Sequence, residues 1–192
     1  MASPTLTERR RLQTRLEIAK SAEALFLRDG YDSVTAEDIA EDSGVSLRTF
    51  YRYFSSKDEV LSPIITDGML ELVGHIAARP ARESLVTAVQ HAVDEITPEN
   101  ADAGPLLTLL TGVPALRSRW LHDLRTIEEA LVPVVHERAR RPISDEHARL
   151  SAAAVVTGLR VVLESSVQPR SGGSLSDSLG QALRYLRDGA RL

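Results

Sequence analysis

The stretch TAEDIAEDSGVSLRTFYRYFSSK, Thr35 to Lys57, leaves the chain little freedom in how it folds. Thr35 followed three residues later by Asp38 is a capping-box pattern, and Val34 and Ile39 stand where a hydrophobic staple would close over it. A short helix therefore begins at Ala36, turns Ile39 and Ala40 inward and keeps Glu37, Asp38, Glu41 and Asp42 in water. Gly44 supplies the left-handed residue that ends it. Ser46 is an N-cap for a second helix, and the staple recurs, with Val45 before the cap and Phe50 at the fourth helical position. Ser56, with Glu59 three residues on, is expected to cap a third. The pattern is helix, sharp turn, helix over about residues 34–54.

At about 100° per residue, Phe50 and Phe54 share one side of the second helix and Arg48 and Arg52 the other, flanked by Thr49 and Tyr51. An aromatic face anchors such a helix in a core, and a cationic face is free to meet an anion. Arginine can pair bidentately with guanine O6 and N7, while hydroxyls and a helix N-terminus suit phosphate. Lys57 in the first turn of the next helix opposes the helix dipole, so a partner outside that helix is expected.

The run from Leu12 to Leu61 resembles the DNA-binding domain of TetR-type transcriptional repressors. The resemblance is carried by AEALFLRDGYDSVT, DIAEDSGVS and above all TFYRYFSSKDEVL. It implies that Thr35, Ser46, Thr49, Tyr51 and Lys57 touch phosphates, and that Leu47, Arg48 and Arg52 lie nearest the bases of double-stranded DNA. One departure is Arg52, where the family very often has His, which leaves the base preference open.

Long alternating strand patterns are absent, and with 43% hydrophobic residues in 192 the chain can bury a core of one large or two small domains. The fold expected is all-α: a three-helix helix-turn-helix unit over 1–56 and a helical ligand-binding and dimerisation domain over 57–192. The net charge of −4 is shared evenly, −2 from residues 1–60 and −2 from the rest, so nucleic-acid binding has to rest on local placement. Arg9, Arg10, Arg11 and Arg15, with Arg48, Arg52 and Lys57, are the residues able to form one positive surface. The absence of cysteine excludes disulfides and thiolate metal sites and fits a reducing cytoplasm. No secretory signal is visible in the first thirty residues, and no apolar run looks long enough to span a bilayer, so no membrane partner is expected.

Met1 to Thr7 reads as a tail, followed by a helix from about Glu8 to Asp29 with Leu12, Leu16, Ala19, Ala22, Leu25 and Phe26 inward. A longer helix should lead from Lys57 to Ala78, kinked or restarted at Pro63 with Ser62 as cap. Residues 81–96 follow with Leu85, Val86, Val89, Val93 and Ile96 inward, then TPENADAG as a loop and a short apolar helix over 105–112. Pro114 opens a long helix, bent at Pro133. Ser144 caps the next, through Leu150, Ala154, Val155, Leu159, Val162 and Leu163. QPRSGGS reads as a linker before a last helix, about Leu175 to Asp188, with Leu179, Leu183 and Leu186 inward. Ala152, Ala153, Ala154 and Gly158 permit close helix approach, and the family resemblance implies a homodimer through the last two helices.

Five scattered histidines show no metal-binding spacing, no catalytic set can be assembled, and neither an enzyme nor a cofactor is expected. The alternative is a helical enzyme or a protein-interaction adaptor whose N-terminal unit binds a protein partner. The resemblance implies a small-molecule effector, with Met69, His75, Thr108, Thr111, Trp120, Arg125, Thr157, Arg160 and Glu164 as candidate lining. PALRSRWLHDLRTIEEALVPVV is also similar to members that bind acyl-CoA-like ligands, which implies an apolar or acyl-CoA-like effector. The function expected is a ligand-responsive repressor of a palindromic operator.

Overall fold

The computed structural model describes residues 5–96, 104–139, 141–166 and 175–187; among these it contains nine α-helices and no strand. Helix α1 spans Leu6–Asp29, starting two residues before the expected position because Thr5 forms a full capping box with Glu8. Gly30, at φ 85°, ends it. Its buried face is Ile18, Ala19, Ala22, Leu25 and Phe26. Leu12, expected inward, is 50% exposed, because the core reaches only as far along α1 as Ile18.

Helices α2 (Ala36–Asp42) and α3 (Leu47–Tyr53) form where the caps place them. The Thr35 hydroxyl accepts the Asp38 N–H, and the Asp38 carboxylate accepts the Thr35 N–H at 2.8 Å. After α2 the Val45 N–H reaches the Ala40 carbonyl and the Gly44 N–H that of Glu41, the two bonds of a Schellman ending, with Gly44 at φ 68°. The Ser46 hydroxyl accepts the Thr49 N–H at 3.2 Å.

Beyond α3 the chain makes a 3-10 turn, Lys57–Glu59, and restarts as α4 (Ser62–Ala78) with Pro63 in its first turn, where a missing N–H costs nothing. Two expectations change here. Ser56 makes no side-chain cap; Ser55 is the residue that Glu59 holds, by its N–H and its hydroxyl. Leu61, not Ser62, occupies the cap position of α4, and Ser62 is buried. The remaining helices are α5 (Leu85–Ile96), α6 (Gly104–Gly112), α7 (Pro114–Arg138), α8 (Asp145–Ser166) and α9 (Leu175–Arg187). Pro133 sits inside α7, which runs on past it. Most of TPENADAG, the QPRSGGS segment and the Leu186 side chain lie outside the described residues.

Helix α4 packs on α7, α7 on α8, and α9 across α5 and α8. One apolar core runs from Phe26, Ile39, Phe50 and Phe54 through Val60 and Leu61 to Leu116, Trp120, Leu131 and Leu179. The α8–α9 approach is closest at Gly158, where an added Cβ would stand 3.2 Å from a Leu183 methyl. Leu150, expected inward on α8, is 61% exposed, because the buried face of that helix is the opposite one, through Ala148, Ala152, Val155 and Leu159. Contrary to expectation, Lys57–Ala78 is long and apolar enough by composition to cross a bilayer, with mean hydropathy 1.3. Its Leu61, Leu72, Val73 and Ile76 are buried within the fold, as in the core helix of a globular domain.

Two arginines of α7 hold the ends of α4. The Arg119 Nε donates to the Ser62 hydroxyl at 3.0 Å. The Arg138 guanidinium donates to the carbonyl of Ile76, in the last turn of α4, and to those of Arg79 and Pro80 just beyond it.

Candidate nucleic-acid interface

Helix α3 is fixed from behind. Phe50 is wholly buried and Phe54 1% exposed, with their ring centroids 5.5 Å apart. The Arg15 guanidinium of α1 lies 5.5 Å from the Phe54 ring centroid. Arg48, Tyr51 and Arg52 are exposed on the outer side, and Leu47 and Thr49 are half-buried beside them. The Arg52 guanidinium stacks 5.1 Å over the Tyr53 ring, which steadies its stem without using its N–H donors. The Ser46 and Thr49 hydroxyls bond each other at 3.0 Å at the N-terminus of the same helix. Ser46, Leu47, Arg48, Thr49, Tyr51 and Arg52 therefore lie together on one short helix. Thr35 stands apart, at the start of α2, with its hydroxyl engaged by Asp38.

Lys57 is placed differently from the other candidates. Its ammonium donates to the carbonyls of Tyr31 at 2.8 Å and Val34 at 2.9 Å, and sits 4.0 Å from the Tyr31 ring centroid. The partner expected for this cation is thus the segment joining α1 to α2. Next to it, the Tyr31 hydroxyl donates to the Asp58 carboxylate, and burial followed by that anionic partner pushes the phenol above its ordinary value. The spacing within 35–57 gave no signal for either contact, because both partners lie more than twenty residues upstream.

Glu59 completes the turn. Its carboxylate accepts the Ser55 N–H at 3.0 Å and the Ser55 hydroxyl at 2.6 Å, and faces an Arg119 nitrogen at 3.7 Å. Burial alone would raise this carboxyl. The bonds from Ser55, then the guanidiniums of Arg119 and Arg15, outweigh burial and hold it below the ordinary value. Arg119 also pairs with the buried Asp123 at 3.0 Å.

The candidate effector residues are dispersed. Trp120 is buried in the core, and Met69 is half-buried on α4. The Thr108 and Thr111 hydroxyls bond back to the carbonyls of Gly104 and Leu107 within α6. His75 pairs with Glu95 at 2.9 Å. Arg160 pairs with Glu164 at 2.9 Å, and Thr157 is exposed on α8. Arg125 alone among them lines the open groove of about 790 Å³ between α7 and α8, together with Glu128, Val132, Arg149, Leu150 and Ala153.

A buried aromatic anchor behind an exposed arginine face, on the second helix of a tight helix-turn-helix, defines a DNA-binding regulator. A family model described as "Bacterial regulatory proteins, tetR family" matches residues 18–63, and one described as "MftR C-terminal domain" matches residues 79–191. The HTH-type transcriptional regulator TcmR of Streptomyces glaucescens is 30% identical over 154 residues, covering 74% of this chain and 68% of that protein. MftR of Mycobacterium tuberculosis is 23% identical over 184 residues, covering 96% and 79%. The chain therefore belongs to the tetR family of bacterial regulatory proteins and is a transcriptional regulator, not an enzyme. Its fold is similar to that of Thermus thermophilus FadR, solved in complex with lauroyl-CoA, at a TM-score of 0.60 and 18% identity over 93% of this chain and 95% of that one. FadR from Bacillus halodurans gives 0.58 at 17% identity, covering 93% and 96%.

Proposed function

We propose that this regulator acts in the cytoplasm as a homodimeric repressor of a palindromic operator, released by an apolar or amphipathic effector. Residues 1–56 serve as the DNA-binding unit and 57–192 as the effector and dimerisation domain. The observation that carries the reading is the outward placement of Arg48 and Arg52 on a helix anchored from behind by the wholly buried Phe50. Arg48, Arg52 and Leu47 then face base edges, while Thr35, Ser46, Thr49 and Tyr51 serve phosphates. Lys57 spends two of its three N–H donors on the carbonyls of Tyr31 and Val34, which leaves one for a phosphate.

A dimer is required because two recognition helices must enter successive major grooves roughly 34 Å apart. Support comes from α8 and α9. Leu150, Ala154, Thr157 and Val161 form a stripe opposite the buried face of α8, and Ser178, Ala182 and Tyr185 do the same on α9. Leu150, Val161 and Tyr185 are all exposed within the protomer. Leu150→Glu is expected to yield a folded monomer in sedimentation that no longer retains a full palindrome. Support for an acyl-CoA-like effector comes from the lauroyl-CoA complex of the Thermus thermophilus protein.

The deciding experiment is binding to operator duplex across salt concentrations. Arg52→Ala should weaken binding and relax the preference at one base position, by about 1–3 kcal/mol, and each lost phosphate contact flattens the salt slope by about one. Unchanged affinity and preference in Arg48→Ala and Arg52→Ala would show that α3 does not face the DNA.

A further inference from the structure

The turn between α3 and α4 has neighbours in two parts of the molecule, and one of them belongs to α7. Glu59 accepts two hydrogen bonds from Ser55, the residue directly after Phe54, where α3 ends. The other oxygen of the same carboxylate faces Arg119 at 3.7 Å. The Arg119 Nε is shared between the Ser62 hydroxyl and the Asp123 carboxylate, each at 3.0 Å. Ser62 is 4% exposed and Asp123 4%, so the guanidinium is anchored at its inner end and extends outward to Glu59.

We propose that Arg119 is a positioning residue for DNA recognition: through Glu59 and Ser55 it sets the angle at which α3 presents Arg48 and Arg52. This rests on the reading of α3 as the recognition helix. The physical case is one of geometry rather than of ion-pair strength, since an exposed pair would contribute little. This pair is largely sheltered, and one planar guanidinium ties the turn before α4, the first residue of α4 and a buried acid of its own helix. Removing it frees the Glu59 carboxylate to turn and lets Ser55, and with it the end of α3, shift. Helix α7 thereby reaches the recognition helix directly, without passing through the length of α4.

The test uses the full-length protein and an operator duplex that the wild-type chain has selected from a random-sequence library. Affinity for that duplex and for a scrambled duplex is measured well below each variant's thermal midpoint, over a range of salt. Arg119→Gln should weaken operator binding by about tenfold, a coupling within the range of roughly 5–150-fold seen between linked sites, while scrambled-duplex affinity and the salt slope stay at wild-type values. Glu59→Gln should do the same, and the double variant should be no weaker than either single one, since both act through one contact. Arg119→Lys should recover part of the loss, because it keeps the charge and an N–H donor group but not the planar fork. Equal loss on both duplexes would mean a lower folded fraction and would overturn the proposal, as would a salt slope flatter by about one, which would make Arg119 a phosphate contact. Additive losses from the two single variants would also overturn it. If Arg119→Gln does not fold, Glu59→Gln carries the same comparison of duplexes. Arg48→Ala is the control on the underlying reading: no effect there removes α3 from the DNA, whereas an effect there with none at Arg119 overturns the positioning role alone.

Discussion

In residues 35–54 polar side chains close on backbone groups three residues away, whereas α7, α8 and α9 meet through surfaces supplied by residues far apart in sequence. Thr35, Asp38 and Ser46 satisfy the N–H groups at two helix starts, and Gly44 turns the chain between them. At the start of α8 the Ser144 hydroxyl likewise accepts the His147 N–H, but the packing of these helices rests on apolar faces and on close approach at Gly158. The two regions nevertheless share one core, joined at Val60 and Leu61. Order that is local in origin is thus tied energetically to order that is not.

The strongest way to break that picture is Phe50→Ala. Emptying a wholly buried aromatic site should cost about 3–5 kcal/mol. Because the core is continuous, the denaturant midpoint followed by fluorescence of Trp120, on α7 of the second domain, should fall with it. A Trp120 transition left at the wild-type midpoint would show two independent folding units. Next is Gly44→Ala, which places a Cβ at φ 68° and should cost about 1–2 kcal/mol in thermal or chemical unfolding. Removing a cap with Thr35→Ala or Ser46→Ala should cost about 1 kcal/mol each. The two losses should add, since the caps belong to different helices.

The smallest effect is expected on the other side of the comparison. Gly158→Ala gains about 0.5–1 kcal/mol of helix propensity and loses a similar amount by pressing the new methyl on Leu183 at 3.2 Å. Its midpoint should lie within about 0.5 kcal/mol of wild type. A loss as large as that of Gly44→Ala would mean that the α8–α9 contact cannot relax at all.

The same contrast explains what could be read from the sequence. The caps at Thr35 and Ser46 and the opposition of Phe50 and Phe54 to Arg48 and Arg52 depend on spacing within one turn and appear where expected, whereas Ser56 and Ser62, also expected as caps, do not cap. Periodicity gives the face of a helix but not whether a neighbour covers it. Leu12 and Leu150 fall on the apolar stripe of their helices yet are exposed, whereas Ile18, off the expected stripe, is wholly buried. The partners of Lys57 and Glu59 come from residues 31, 34 and 119, and only the folded chain brings those together. The scattered effector candidates share this limit: Thr108 and Thr111 look like ligand groups in sequence and are bonded within their own helix.

The two arginine straps from α7 to α4 constrain how this protein can change over generations. Arg119 and Arg138 are nineteen residues apart in one helix, about 28 Å at 1.5 Å per residue. A single inserted or deleted residue between them would rotate one strap by about 100° relative to the other, so that only one could still reach α4. Point substitutions along the outer face of that segment are tolerable, but changes in its length are not. Drift in α7 should therefore proceed by replacement alone, with gains and losses of residues confined to the connections at its two ends.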